Sequence, residues 1–119
     1  MKIIIVEDDK VITLLLQKMV ERMNYIVVNT ATKGQEAIDK ISKEKPDLVL
    51  MDIMLEDNID GIDAMLKLRE DGLNTPVIYI TGNSDSYNKT RAKDTQYTDY
   101  LIKPVNFDEL KSAIDKVFE

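Results

Sequence analysis

The chain has 119 residues, 44% hydrophobic and 32% charged, a composition that suits one compact folded domain. Its net charge of −6 argues against a nucleic-acid-binding surface, because affinity for a phosphate backbone comes largely from clustered lysine and arginine. Histidine and cysteine are absent, which excludes disulfides, thiol nucleophiles, histidine metal ligands and an internal phosphohistidine. Any chemistry must therefore depend on carboxylates, hydroxyls, lysine and the backbone.

Short apolar runs alternate with segments of helical period along the whole chain. Five runs predict strands, most of them covered on both faces because they lack alternating polarity: Ile3–Val6, Tyr25–Val28, Leu48–Met51, Val77–Ile80 and Tyr100–Ile102. Four apolar stripes between and after them predict amphipathic helices: Ile12, Leu16, Met19 and Met23; Gly34, Ala37, Ile38 and Ile41; Ile62, Met65 and Leu66; Phe107, Leu110, Ile114 and Val117. The repeat predicts one α/β domain over residues 1–119, a doubly wound (βα)5 parallel sheet with helices on both faces.

Helix starts are marked at two places. Thr32 with Gln35, and Asn106 with Glu109, have capping-box spacing, which predicts that Thr32 and Asn106 cap the second and fifth helices. No apolar run is long enough to cross a bilayer, and the apolar start is too short for a signal-peptide core. We therefore expect a cytoplasmic protein without a membrane partner.

The fourth helix is the weakest of the predicted elements. Between Ser84 and Asp94 the only apolar or partly apolar side chains are Tyr87 and Ala92. Because short helices are marginal without packing, this composition predicts a solvated helix of low stability.

Polar side chains follow four of the predicted strands. They are Glu7, Asp8 and Asp9 after the first strand, Asp52 after the third, Thr81 after the fourth and Lys103 after the fifth. Taken singly, each has an ordinary structural explanation as a helix cap, a strand-end acid or a surface lysine. Together they predict a site at one sheet edge, because clustered carboxylates repel one another unless a cation offsets them. Oxygen ligands at an open site favour Mg²⁺, and a nearby lysine and threonine suit an anionic oxygen, as in phosphoryl transfer.

In this order and spacing, four motifs resemble the response-regulator receiver family over the whole chain. They are Val6-Glu7-Asp8-Asp9, Met51-Asp52-Ile53, Tyr79-Ile80-Thr81-Gly82 and Tyr100-Leu101-Ile102-Lys103-Pro104. The resemblance implies a flavodoxin-like fold and a role in two-component phosphorelay signal transduction. It also implies a domain that catalyses its own phosphorylation and dephosphorylation but turns over no external substrate.

The resemblance assigns the metal site and the acceptor. Asp52 would accept the phosphoryl group, in a Mg²⁺-dependent reaction. Asp8 would bind Mg²⁺ directly and Glu7 through water, and the backbone carbonyl of Met54 would be a further ligand. Asp9 is expected to help start the first helix instead.

The resemblance also implies a switch. Lys103 would pair with Asp52 and then with the phosphoryl group, and Thr81 would donate its hydroxyl to a phosphoryl oxygen. Tyr100 would be the aromatic switch residue, although a strand-filling role explains it equally well. The switching face would comprise the fourth helix, the fifth strand and the fifth helix, with Ser84 to Ile102 at its centre. The implied partners are a histidine kinase or histidine phosphotransfer protein, a downstream protein target and, through that face, a weak homodimer.

The loop after Asp52 departs from the family's commonest form. Glu56 stands where many receivers have proline, and Gly61 comes nine residues after Asp52 where eight is usual. The loop is therefore one residue longer and more acidic, and inferences about partner contacts through it are not carried over.

Three alternatives compete with a receiver. A phosphorylation-independent pseudo-receiver predicts loss of Asp52, the acid pair or Lys103, and all are present. A haloacid-dehalogenase-type phosphatase needs a second aspartate two residues after the first, where Met54 stands. A flavodoxin-like FMN binder needs a hydroxyl- and glycine-rich loop after the first strand, where the acids would repel the phosphate. Whether the chain is a stand-alone receiver or one domain of a longer protein is left open.

Overall fold

The computed structural model describes residues 1–82 and 85–118, in which strands and helices alternate along the chain. The strands are β1 (Lys2–Val6), β2 (Ile26–Ala31), β3 (Leu48–Met51), β4 (Val77–Thr81) and β5 (Asp99–Ile102). The helices are α1 (Lys10–Arg22), α2 (Gly34–Glu44), α3 (Gly61–Glu70), α4 (Ser86–Lys93) and α5 (Phe107–Phe118). In the described part of the chain, none of these helices combines the length and the apolar character that a bilayer crossing requires.

The five strands form one parallel sheet in the order β2-β1-β3-β4-β5. Helices α1 and α5 contribute to the core on one face of the sheet, and α2, α3 and α4 contribute to the core on the other. The predicted doubly wound α/β fold is thus confirmed. Strand order reverses between β1 and β3, and doubly wound sheets bind ligands beside such a reversal.

The central strands β1, β3 and β4 are buried along almost their whole length, as their uninterrupted apolar runs predict. The edge strands β2 and β5 are only partly covered. Helix α5 begins as predicted, because the side-chain oxygen of Asn106 accepts the backbone N–H of Glu109 at 2.8 Å.

Helix α4 is short and polar. Of the two side chains that the sequence offered for burial, Ala92 is fully buried, whereas Tyr87 is 73% exposed. The predicted first residue, Ser84, lies outside the described residues, and the helix begins at Ser86 with Asp85 as its cap. The Asp85 carboxylate accepts the backbone N–H of Asn88 at 2.7 Å. The prediction of a solvated fourth helix is therefore confirmed, with even less apolar burial than expected.

Candidate functional site

Strands β1 and β3 bring three acidic side chains together at the strand-order reversal. Ligand atoms of Glu7, Asp8 and Asp52 all lie within 4.8 Å of one another. The backbone fixes them, because the N–H of Asp52 donates to Val6 at 2.8 Å and that of Glu7 donates to Ala31 at 2.9 Å, continuing the strand pairing past the strand ends. Glu7 is 2% exposed and Asp52 is 5% exposed, whereas Asp8 lies at the surface.

Lys103 extends into this cluster from the end of β5. Its backbone N–H donates to the carbonyl of Thr81 at 2.8 Å, which continues the pairing of β5 with β4. Its ammonium nitrogen donates to Oδ2 of Asp52 at 3.1 Å. The same nitrogen lies 2.6 Å from Oε1 of Glu7, an ion pair without hydrogen-bond alignment. The resemblance suggested the pairing with Asp52, but the sequence gave no signal for the pairing with Glu7, because the two residues lie far apart along the chain.

The pKa shifts express this crowding of carboxylates. The pKa of Asp8 is raised, first by the close approach of the Glu7 carboxyl, then by burial and by the charge of Glu7. Burial acts to lower the pKa of Lys103, but its contacts with Glu7 and Asp52 outweigh burial and raise it. One ammonium group thus faces three carboxyl groups, and the remaining negative charge fits a hard divalent cation with oxygen ligands.

The β3–α3 loop, which we define as residues 52–60, starts at Asp52 and returns close to it. Oδ1 of Asp52 accepts the backbone N–H of Ile53 at 2.8 Å, so both carboxylate oxygens are engaged. The N–H of Gly61 donates to the carbonyl of Ile53 at 2.8 Å. A Cβ at Gly61 would overlap the backbone oxygen of Asp52, so glycine is required for this approach. Met54 is 67% exposed, so its side chain is directed largely to solvent.

The third acid after β1 has the separate role that the sequence predicted for it. Oδ1 of Asp9 accepts the backbone N–H groups of Val11 at 2.8 Å and Ile12 at 3.2 Å. Asp9 is thus the N-cap of α1, and this prediction is confirmed.

The cap of α2 differs from the prediction. Thr32 does not cap the helix; its own N–H donates to the side chain of Glu36 at 2.8 Å. The first N–H groups of α2 donate instead to Asp57 of the β3–α3 loop, from Gly34 at 2.7 Å and from Gln35 at 3.0 Å. The predicted Thr32–Gln35 capping box is wrong because a carboxylate distant in sequence occupies the helix end, which local spacing cannot reveal.

The two residues of the expected switch lie on neighbouring strands. Thr81 is fully buried at the end of β4, and Tyr100 is partly buried on β5 opposite Tyr79. The rings of Tyr79, Tyr97 and Tyr100 form a cluster with centroids 5.8–5.9 Å apart. We call these three residues the tyrosine cluster. The ammonium group of Lys89 on α4 lies 5.3 Å from the centroid of the Tyr100 ring, so the cluster contacts α4.

An apolar cavity of about 340 Å³ opens beside Lys103. It lies between α1 and the start of the segment after β5, and its lining includes Ile12, Leu15, Leu16, Ile80 and Val105. The lining residue Leu15 is exposed, and two further apolar side chains of α1 are exposed beside it in the sequence, Val11 and Leu14. One flank of the acidic cluster is therefore an apolar surface.

Comparison with known proteins identifies this arrangement. The family model of the response regulator receiver domain matches residues 3–115. The chain belongs to that family. The resemblance drawn from the four motifs is confirmed, and all the acidic residues of the cluster lie inside the matched segment.

Curated relatives of this receiver domain are bacterial regulators. It is 34% identical over 116 residues to the alkaline phosphatase synthesis transcriptional regulatory protein PhoP of Bacillus subtilis, covering 98% of this chain and 48% of that protein. It is 35% identical over 113 residues to the response regulator ArlR of Staphylococcus aureus, covering 95% of this chain and 50% of that protein. The receiver domain thus spans about half the length of the curated relatives it matches.

Solved structures share its fold. The signal receiver domain of a modulated diguanylate cyclase from Desulfovibrio desulfuricans superposes with a TM-score of 0.89 at 34% identity, covering 98% of this chain and 91% of that one. The BeF3-activated N-terminal receiver domain of RstA from Klebsiella pneumoniae superposes with a TM-score of 0.88 at 28% identity, covering 100% and 99%. The fold of this chain is therefore that of a receiver domain.

Proposed function

We propose that this receiver domain accepts a phosphoryl group on Asp52 from the phosphohistidine of a histidine kinase or histidine phosphotransfer protein, in a Mg²⁺-dependent reaction. The observation that carries the proposal is the buried Asp52 carboxylate, engaged by Lys103 and Ile53 and clustered with Glu7 and Asp8. A carboxylate in this setting is fixed in orientation, and histidine and cysteine are absent as competing nucleophiles.

The transfer conserves the electron pairs of both partners. An oxygen of Asp52 forms a bond to phosphorus while the phosphorus–nitrogen bond of the donor breaks, and that electron pair stays on the imidazole nitrogen. The ammonium group of Lys103, which lies 3.1 Å from Oδ2 of Asp52, would form an ion pair with the phosphoryl oxygens. The buried hydroxyl of Thr81 ends the neighbouring strand and would donate a hydrogen bond to one of those oxygens.

The residues that would hold Mg²⁺ are Asp8 and Asp52 directly, Glu7 through water and Met54 through its backbone carbonyl. This assignment is supported by the three carboxyl groups whose ligand atoms lie within 4.8 Å of one another. They outnumber the single ammonium group that contacts them, which belongs to Lys103. Mg²⁺ would offset the charge on the phosphoryl oxygens during transfer. Asp8 belongs in this set because one of its carboxylate oxygens lies within 4.8 Å of ligand atoms of Glu7 and Asp52.

Intact-mass analysis after incubation with acetyl phosphate tests the acceptor. The wild type should gain the mass of one phosphoryl group with Mg²⁺ and none without it. Asp52→Asn should abolish the gain, because an amide is a poor nucleophile. The matched control is Asp57→Asn, the same change in the same loop, which should leave the gain intact. Phosphorylation that persists in Asp52→Asn would contradict the proposal.

The roles of Asp8 and Lys103 can be separated by Mg²⁺ titration followed by NMR. Asp8→Asn should weaken Mg²⁺ binding about tenfold or more, because it removes a charged ligand. Lys103→Ala should leave Mg²⁺ binding intact or tighter yet impair phosphorylation, because it removes a cation from the site. The reverse order would show that the assignment of these two residues is wrong.

The apolar flank beside Lys103 supports a protein donor. Exposed Leu14 and Leu15 would contact the protein that carries the phosphohistidine, since apolar surface drives most protein association. Leu15→Asp should slow transfer from a phosphohistidine protein while leaving phosphorylation by acetyl phosphate unchanged. Equal slowing with both donors would locate the effect in the site itself.

The output is a change at the face formed by α4, β5 and α5, which would bind a downstream protein or a second copy weakly. Some curated relatives are named as transcriptional regulators, but they are about twice as long as this chain. With a net charge of −6, the domain itself is not expected to bind duplex DNA. Sub-micromolar, salt-sensitive binding in a fluorescence anisotropy titration would refute this. The cytoplasmic location stays a prediction.

A further inference from the structure

Helix α4 lies next to the site but has little apolar surface with which to pack. Among its residues Ala92 alone is buried, and a short helix gains most of its stability from packing. Its C-terminal end is anchored, since the hydroxyl of Thr95 donates to the carbonyl of Ala92 at 2.6 Å and accepts the hydroxyl of Tyr79 at 2.9 Å. The body of α4 must therefore depend on polar contacts.

Those contacts converge on Arg91. One guanidinium nitrogen lies 2.9 Å from Oδ2 of Asp60, and the other lies 3.3 Å from Oδ1 of Asp60 and 2.8 Å from Oδ1 of Asp63. We call Arg91, Asp60 and Asp63 the Arg91 cluster. The Arg91 and Asp60 side chains are less than one-third exposed, and the contact with Asp60 is a two-pronged fork. The pKa of Arg91 is raised mainly by its hydrogen bonds to Asp60.

Asp60 connects this cluster to the phosphoacceptor. It is the last residue of the β3–α3 loop and the N-cap of α3, where its carboxylate accepts the N–H of Asp63 at 2.8 Å. The next residue, Gly61, approaches the backbone oxygen of Asp52 so closely that no side chain would fit. Asp60, to which Arg91 binds, is thus next in sequence to Gly61, which contacts the backbone of Asp52.

In this structure Lys103 is bonded to the carboxylate of Asp52 itself, and in the function proposed above the face that contains α4 changes when that carboxylate is phosphorylated. We propose that the Arg91 cluster fixes α4 in the position it has here and so opposes that change, which makes Arg91 a positioning residue for the switch. The proposal rests on the function proposed for Asp52. It supplies a second connection between the site and α4, separate from Thr81 and Tyr100.

The size of the effect follows from the contacts. Partly exposed ion pairs are individually weak, and a fork with a third oxygen lies at the upper end of their range. A ligand that binds only the active conformation binds more weakly in proportion to the rarity of that conformation. Breaking the Arg91 cluster should therefore tighten such a ligand by about twofold to fivefold.

Beryllium trifluoride with Mg²⁺, a stable phosphoryl mimic, is the probe, and its binding can be titrated by NMR. Arg91→Gln should bind it about twofold to fivefold more tightly than the wild type. The matched control, Lys93→Gln, removes the same charge from the same last turn of α4 and should bind like the wild type. A merely structural role for Arg91 would weaken binding or leave it unchanged.

Amide hydrogen exchange of the resting protein tests the contact without any phosphoryl chemistry. Residues 86–93 should exchange about twofold to fivefold faster in Arg91→Gln than in Lys93→Gln. Equal rates in the two variants would overturn the proposal.

The two failures can be told apart. If the wild type binds the mimic and Arg91→Gln binds it no more tightly, the proposal for Arg91 is overturned while Asp52 stands as the acceptor. If none of the three proteins binds the mimic, the acceptor assignment is wrong and the proposal for Arg91 is overturned with it.

Discussion

Helices α2 and α4 both contact the β3–α3 loop through one of its aspartates, yet they are stabilised in different ways. Asp57 receives the first N–H groups of α2, and Asp60 binds Arg91 of α4. Helix α2 also buries an apolar stripe that includes Ile38 and Ile41, whereas α4 buries only an alanine. The same loop therefore caps a helix that also packs through an apolar stripe and binds a helix that buries little apolar surface. The second kind of helix suits a part of the molecule that must move.

The largest expected effect on the free energy of unfolding comes from the loss of apolar burial. Ile41→Ala in α2 should lower the free energy of unfolding by about 2–5 kcal/mol, because Ile41 is fully buried in the core. Tyr87→Ala in α4 should change it by no more than about 0.5 kcal/mol, because the Tyr87 ring is mostly solvent-exposed. Urea unfolding followed by circular dichroism measures both. Similar losses in the two variants would contradict the contrast between the helices.

The next effect concerns local opening. Amide hydrogen exchange should be fastest among the helices in α4, at least about tenfold faster than in the middle of α2, because little apolar area is exposed when α4 opens. The exchange should slow in α4 and β5 when the domain is phosphorylated or binds beryllium trifluoride. Protection changes confined to α1 would show that the face of α4, β5 and α5 is not the switch.

These contrasts mark how far the sequence alone could lead. Apolar runs and stripes have a period that depends only on neighbouring residues. The fold class, the buried central strands and the stripe of α2 were therefore all predictable. The acidic edge was predictable too, because parallel strands end at one edge and Asp52 and Glu7 follow two of them.

What the sequence missed depends on polar contacts between distant residues. Such contacts have no period. Asp57, which lies far along the chain, caps α2 in place of the predicted Thr32. Arg91 likewise binds Asp60, which is distant from it in sequence. The greater length and acidity of the loop after Asp52 were visible, but nothing in the spacing of its residues indicated which helices it would contact.

Removing the cap of α2 should have a moderate effect. Asp57→Ala should lower the free energy of unfolding by about 1 kcal/mol at neutral pH, because two backbone N–H groups lose their acceptor while the apolar stripe remains. Asp57→Asn retains an acceptor oxygen and should cost less. Urea unfolding of both variants checks the order, and a loss for Asp57→Ala as large as that for Ile41→Ala would make the cap the main support of α2.

The smallest expected effect is a pH dependence. The pKa of Asp57 is lowered, first by the N–H of Gln35, so the folded state favours the charged carboxylate. The resulting stability is present above the ordinary aspartate pKa of about 4 and is lost as the pH falls through the lower pKa of the folded state. The stability difference between wild type and Asp57→Asn should therefore shrink in urea titrations below about pH 4. A difference that grows on acidification would reverse the sign of this argument.

The tyrosine cluster has a consequence for how this domain can be observed. The chain has five tyrosines and no tryptophan, so no indole dominates its emission. Three of the five phenol rings adjoin one another on β4, β5 and the segment between α4 and β5, with the Lys89 ammonium over one of them. Rearrangement of Tyr100 would change the surroundings of all three at once. The domain thus carries an intrinsic fluorophore at its expected moving edge, and its conformational kinetics can be followed in stopped flow without a label.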